Sequence, residues 1–148
     1  MKTLIIYCSI HHNNTEKIVN YILEKTDVEA INILDNKDNI ALFEYDNLVF
    51  ASGIYYGNMD SRIYKFIEEN KEHVSGKKIF TMITSGLMSV KYEDTINKEL
   101  DVRDLVSSGF YQCRGYDTYG PWKLIGGLSK GHPNEDDMEN ALNFIKNI

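Results

Sequence analysis

Five short runs of mainly apolar residues, 3–8, 29–34, 47–52, 78–84 and 109–114, punctuate the chain. Several are continuously apolar rather than alternating, the pattern of strands covered on both faces in a parallel sheet. The segments between them change period. Ile18, Val19, Ile22 and Leu23 recur at helical spacing, as do Ile63, Phe66 and Ile67, then Tyr92, Ile96 and Leu100, and finally Met138, Ala141, Leu142, Ile145 and Ile148. The last of these has the clearest start: Pro133, then Asn134 as N-cap, then Glu135, Asp136 and Asp137 in the first turn, where the helix dipole favours acidic side chains. Residues 35–45 carry only a weak pattern, which predicts a short or irregular helix there.

Strand and helix alternating to the end predict an α/β fold, a three-layer sandwich with right-handed crossovers around a five-stranded parallel sheet. In such sheets ligands gather beyond the carboxyl ends of the strands, near the point where strand order reverses. The informative loops are therefore those leaving the strands: 9–15, 53–61, 85–91 and 116–133. They are rich in aromatics, glycine and short hydroxyl or amide side chains.

Composition narrows the partners. A length of 148 residues suits a single domain over 1–148, and a 43% hydrophobic content can fill one core. With no apolar run near the roughly 20 residues that cross a bilayer and no leader with a cleavage site, the chain is expected to be cytoplasmic and not membrane-bound. Cys8 and Cys113 lie in separate apolar runs, so buried free thiols are expected, one disulfide is conceivable, and no metal cluster is. A net charge of −6 without a Lys/Arg cluster disfavours nucleic acid and anionic membranes, leaving small molecules or basic proteins.

The opening loop carries the first chemistry. Ser9-Ile10-His11-His12-Asn13-Asn14-Thr15-Glu16-Lys17 joins the first strand to the first helix. Such a turn offers unpaired backbone N–H groups and the positive end of the helix dipole, and Ser9, Asn13, Asn14 and Thr15 add short side-chain donors. Phosphate suits that environment. There is neither a Gly-x-x-x-x-Gly-Lys loop nor a Gly-x-Gly-x-x-Gly fingerprint, so a P-loop ATPase and a Rossmann dehydrogenase are disfavoured. The plainer alternative is that Asn14 or Thr15 caps the helix and that His11 and His12 are idle surface residues.

Tyr7-Cys8-Ser9 and Asn14-Thr15-Glu16-Lys17 resemble the phosphate loop of the flavodoxin-like family, and the resemblance extends over the whole chain. It implies a strand order of 2-1-3-4-5, FMN as cofactor, and a phosphate held by Ser9, His11, His12, Asn13, Asn14 and Thr15. Asn13 stands where similar loops place glycine, and the loop is one residue longer than the commonest form. The second loop, Gly53-Ile54-Tyr55-Tyr56-Gly57-Asn58-Met59, is similar to the family's flavin-covering loop. There an aromatic stacks on the flat isoalloxazine and a neighbouring glycine lets a peptide carbonyl reorient, roles that suit Tyr55, Tyr56 and Gly57. Packing of these tyrosines on the next helix is the alternative. Ser85, Gly86 and Leu87 match the family's second flavin-edge loop, although Thr-Ser-Gly is also an ordinary strand-to-helix connection.

Residues 116–133 exceed the usual loop length, and their aromatics argue for order. They are expected to form a rim beside the flavin, with Trp122 or Tyr119 near the ring and Lys123, Lys130 or His132 open to an acidic group; an apolar flap over the sheet edge is the alternative. The resemblance implies an FMN-binding electron-transfer flavoprotein working between a reductase and an acceptor, either a redox protein or a small-molecule oxidant. An FMN-dependent reductase of quinones or other oxidants using NAD(P)H, and a binding module that has lost flavin, are the competing expectations. No catalytic residue is assigned.

Overall fold

The apolar runs become a parallel sheet in the computed structural model, which describes residues 1–10, 12–35, 40–118 and 124–148. In chain order the elements are β1 (Thr3–Cys8), α1 (Asn14–Lys25), β2 (Glu29–Asn32), a 3-10 turn (Leu42–Glu44), β3 (Asn47–Tyr55), β4 (Asn58–Met59), α2 (Ser61–Glu69), α3 (Lys71–Val74), β5 (Lys78–Ser85), α4 (Lys91–Asp101), β6 (Ser107–Arg114) and α5 (Glu135–Lys146). The sheet runs β2-β1-β3-β5-β6, with β4 paired only to β3. Counting the parallel strands alone, this is the expected 2-1-3-4-5. Each strand of the centre serves two cores. Leu4, Ile6 and Cys8 of β1 face a cluster shared with Ile63, Ile67, Ile96 and Leu100, while Ile5 and Tyr7 face one shared with Ile18, Val19, Ile22, Ala141, Leu142 and Ile145. Helices α2 to α4 thus cover one face and α1 with α5 the other, and each fully buried aliphatic side chain contributes about 1.5–3 kcal/mol.

Local chemistry sets the boundaries. Helix α5 begins with a full capping box: the Asn134 side chain accepts from Asp137 N–H, and the Asp137 carboxylate accepts from Asn134 N–H at 2.9 Å. β2 stops at Asn32, two residues before the expected end, because its side chain turns back to accept from Leu34 N–H at 3.0 Å. β3 runs past the expected end, through Gly53 and Ile54 to Tyr55, and folds back on β4. The two residues between, Tyr56 and Gly57, have φ of 53° and 78°, the doubly left-handed form of a type I′ hairpin. Both cysteines are buried thiols, and burial pushes that of Cys113 up to about 12, which leaves it inert. Among the described residues no helix is long and apolar enough to cross a membrane.

Candidate functional site

The order of strands reverses between β1 and β3, so their outgoing loops part to opposite faces and leave a crevice. The loops after β1, β3, β5 and β6 close around it as a cavity of about 610 Å³. That volume is within the range of small-ligand and cofactor sites.

The loop after β1 forms one end. Asn13 adopts the left-handed conformation (φ 52°, ψ 35°) and Asn14 begins the helix, a left-handed to right-handed succession that turns consecutive backbone N–H groups to one side as an anion nest. The first bond of the helix's own ladder runs from Lys17 N–H to Asn13 O at 3.0 Å, so the amides of Asn14 and Thr15 lie ahead of it. Asparagine performs here what glycine performs in similar loops, since its short polar side chain tolerates positive φ better than most. Ser9 does something plainer: its hydroxyl accepts from Glu16 N–H at 3.1 Å, capping the first turn. Thr15 is buried, with its hydroxyl 3.3 Å from that of Thr84 on β5. His11 lies outside the described residues.

The side chains of two residues of this loop turn toward the loop after β6. The Asn14 amide donates to Tyr116 O at 2.9 Å, and its carbonyl shares Tyr116 N–H at 3.3 Å with His132 O at 2.9 Å. His12 places Nε2 2.9 Å from the Thr118 hydroxyl and packs its ring 4.3 Å from that of Tyr116. Beyond them Asp117 and Leu128 exchange backbone hydrogen bonds, so the loop doubles back as a short arm.

The tyrosines after β3 divide their tasks. Tyr55 is half-buried and donates from its hydroxyl to Ile10 O at 3.5 Å. Its hydroxyl is pushed up to about 12, by burial first and the Asp60 carboxylate next, so it stays protonated. Tyr56, at the tip of the hairpin, is 92% exposed while lining the cavity, which removes the helix-packing alternative for it. Gly57 lines the cavity beside it.

From the third side, Ser85 and Gly86 are buried and Leu87 is exposed at the rim. The Ser85 hydroxyl donates to Leu87 O at 2.8 Å and so shapes the turn. Gly86 is required by close approach, since a Cβ there would lie 2.7 Å from the Asp117 Cβ and carboxylate, while its carbonyl accepts from the Ser129 hydroxyl at 2.6 Å. Trp122, Tyr119 and Lys123 lie outside the described residues. His132 engages one side of its ring within the fold, with Nδ1 2.6 Å from the Asp137 carboxylate. Of the expected site residues, Asn14, Thr15, Tyr55, Tyr56, Gly57, Ser85, Gly86 and Leu87 share one lining, whereas Ser9, His12 and Asn13 do not line it. Ile10, Gly53, Ile54, Thr84, Tyr92 and Gly115 also line it without having been assigned to the site, as do Tyr116, Asp117 and Thr118, which the sequence reaches only as part of the 116–133 rim. Asp117 is the acidic member of that wall, and Tyr92 across from it has its hydroxyl raised by burial and then by that carboxylate.

This topology, with its crevice at the order reversal and an anion nest on the first loop, defines a flavodoxin-type α/β domain. The flavodoxin domain family matches residues 4–109, and the chain belongs to it. It is similar to an uncharacterized protein of Methanocaldococcus jannaschii, 43% identical over 154 aligned positions that cover 100% of this chain and 98% of that one. Among solved structures it resembles a flavodoxin from the domain Archaea (TM-score 0.62, 19% identity, 97% of this chain and 92% of that one). It also resembles a flavoprotein from Lactobacillus acidophilus solved in complex with FMN (TM-score 0.60, 17% identity, 75% of this chain and 92% of that one).

Proposed function

We propose that the chain binds FMN noncovalently in this cavity and carries electrons between a reductase and an acceptor, a redox protein or a small oxidant. The observation that carries the reading is the pairing of an anion nest at Asn13–Asn14–Thr15 with a tyrosine-rimmed cavity at the strand-order reversal. The FMN held by the Lactobacillus flavoprotein on the same fold supports it. The donor set fits the group: backbone amides and the Thr15 hydroxyl suit a phosphate, and Tyr56 brings an exposed aromatic ring to the cavity lining, the kind of side chain that stacks on a flavin. When bound, the isoalloxazine supplies the one- and two-electron chemistry. The chain's residues hold and orient it: the nest fixes the phosphate end, Tyr55 braces the opening loop through Ile10, and Gly86 lets the Asp117 arm close on the β5 loop. A net charge of −6 favours docking to basic redox partners.

Titration of the flavin-free protein tests this reading. FMN is expected to bind at least about tenfold more tightly than riboflavin, the worth of one to two charge-assisted hydrogen bonds to phosphate. Failure to bind either flavin sinks the reading; equal affinities remove the nest from it. Steady-state assay with NAD(P)H and a quinone is expected to show no turnover until a separate reductase is added, and turnover without one makes the chain a reductase in its own right.

Tyr56 gives a second prediction. A bulky side chain at φ 53° sits in a conformation that costs about 1 kcal/mol, whereas Asn-Gly is the favoured type I′ pair. Tyr56→Asn is therefore expected to stabilise the flavin-free protein by about 0.5–1 kcal/mol in urea while weakening FMN roughly three- to tenfold, as lost stacking implies. Unchanged FMN affinity with a lower melting temperature would show that the ring serves the fold instead.

A further inference from the structure

Asn14 sits within the nest-forming loop, yet its side chain is engaged elsewhere. Its amide donates to Tyr116 O at 2.9 Å and its carbonyl accepts from Tyr116 N–H at 3.3 Å, a side-chain imitation of one rung of a β-ladder. Three further observations mark this junction as built. Gly115 leaves the room for it, since a Cβ there would lie 2.6 Å from the Asn14 amide nitrogen. The Gly115 N–H donates to Ser85 O at 2.8 Å, anchoring the same strand end to the loop after β5. His12 adds its contact to the Thr118 hydroxyl and its ring against Tyr116. The segment so held, Tyr116-Asp117-Thr118, forms one wall of the cavity.

We propose that Asn14 is a positioning residue for the ring side of the cavity and not a ligand of the phosphate: through Tyr116 it fixes the wall that faces the isoalloxazine. The proposal rests on the FMN reading above. Its logic is a division of one loop between two tasks. The backbone of Asn13 to Thr15 faces the anion, whereas the Asn14 side chain ties that loop to an arm 102 residues further along the chain. A ligand that lacks a phosphate therefore still depends on Asn14, because the wall it meets depends on it.

The test separates phosphate from ring. Wild type, Asn14→Ala and Gly115→Ala are titrated in flavin-free form with FMN and with riboflavin, and thermal unfolding of each flavin-free protein is recorded alongside. Asn14→Ala is expected to weaken FMN and riboflavin by the same factor, about tenfold for two neutral hydrogen bonds. Gly115→Ala, which disturbs the junction from the other strand, is expected to show the same parallel loss and keeps the test open should Asn14→Ala fold poorly. A loss confined to FMN overturns the proposal and makes Asn14 a phosphate ligand. No loss with either flavin also overturns it. If the wild type binds neither flavin, the FMN reading fails and this proposal with it, an outcome distinct from losses seen only in the variants.

Discussion

Replacing Asp60 by alanine is expected to lower the unfolding free energy by about 2–4 kcal/mol, among the largest effects of any polar substitution in the chain. Asp60 is 6% exposed and holds three elements together, β1, β3 and α2. Its Oδ1 accepts from Arg62 N–H at 2.9 Å, capping α2, and from Arg62 Nε at 3.0 Å; its Oδ2 accepts from Arg62 Nη2 at 2.8 Å and from the Cys8 thiol at 3.4 Å, at the end of β1. Its own N–H donates to the Ser52 hydroxyl at 3.1 Å, at the point where β3 leaves the sheet. Arg62 remains 42% exposed at its side chain and recovers hydration once its partner is gone, which holds the loss below the 5 kcal/mol reached by fully buried pairs. Burial pushes the Asp60 carboxyl up, but Arg62 and the Cys8 thiol outweigh it and the net shift is downward. A carboxyl lowered in the folded state contributes stability above its unfolded pKa and loses it as pH falls through the folded value. Urea unfolding of Asp60→Ala and Asp60→Asn therefore has two readouts. Both variants are expected to lose the part of the acid-side decline, below about pH 4, that belongs to this group. Asn is expected to keep roughly half the stability that Ala loses, since it still caps α2. A midpoint unchanged in Asp60→Ala would mean that the cluster contributes no more than an exposed ion pair.

The sheet was legible because its strands are buried on both faces. In β1, Leu4, Ile6 and Cys8 enter one core and Ile5 and Tyr7 the other, so the apolar run is unbroken and reads as parallel strand before any topology is known. Helix faces were legible for the complementary reason: Ile18, Val19 and Ile22 form one buried stripe, and of the apolar positions expected in it Leu23 alone faces outward. The hairpin after β3 was not legible, since Tyr-Gly is a weak turn signal and the left-handed Tyr56 is held by the pairing of Ile54 with Met59 and Tyr55 with Asn58. Candidate site residues on the first three loops could be named because strand-to-helix loops are short and their place in the fold is fixed by topology. Tyr116, Asp117 and Thr118 could be reached only as part of the 116–133 rim and not one by one, because what places them is a side chain 102 residues upstream and a bridge to Leu128, and neither leaves a local pattern. One signal was present and unused: Asp60-Ser61-Arg62 ahead of an amphipathic run is a helix N-cap, and it marks the start of α2.

Gly127→Ala is expected to cost about 2–4 kcal/mol, and to do so at the arm rather than in the core. Gly127 has φ of 102°, a conformation that residues with a side chain rarely adopt, and a Cβ built there would collide with the Tyr116 ring. That ring has little freedom to retreat. Its hydroxyl donates to Gly126 O at 2.9 Å, the His12 ring packs against it, and the Tyr116 backbone is held by Asn14 and by His132 O. The neighbouring Leu128 pairs with Asp117, so displacing residue 127 also strains the bridge that sets the acidic wall of the cavity. The strain falls on the junction of the arm with the opening loop, while the two cores that flank the sheet are untouched. Flavin affinity is consequently expected to fall by about ten- to a hundredfold, for FMN and riboflavin alike, with the far-UV spectrum of the flavin-free protein unchanged. Hydrogen exchange locates the effect: faster exchange at Tyr116, Asp117 and Leu128 with β1, β3 and β5 still protected is the expected result. A uniform rise in exchange across the sheet would show that the arm is part of the global folding unit, and normal flavin affinity in the folded variant would show that the wall it forms does not touch the ligand.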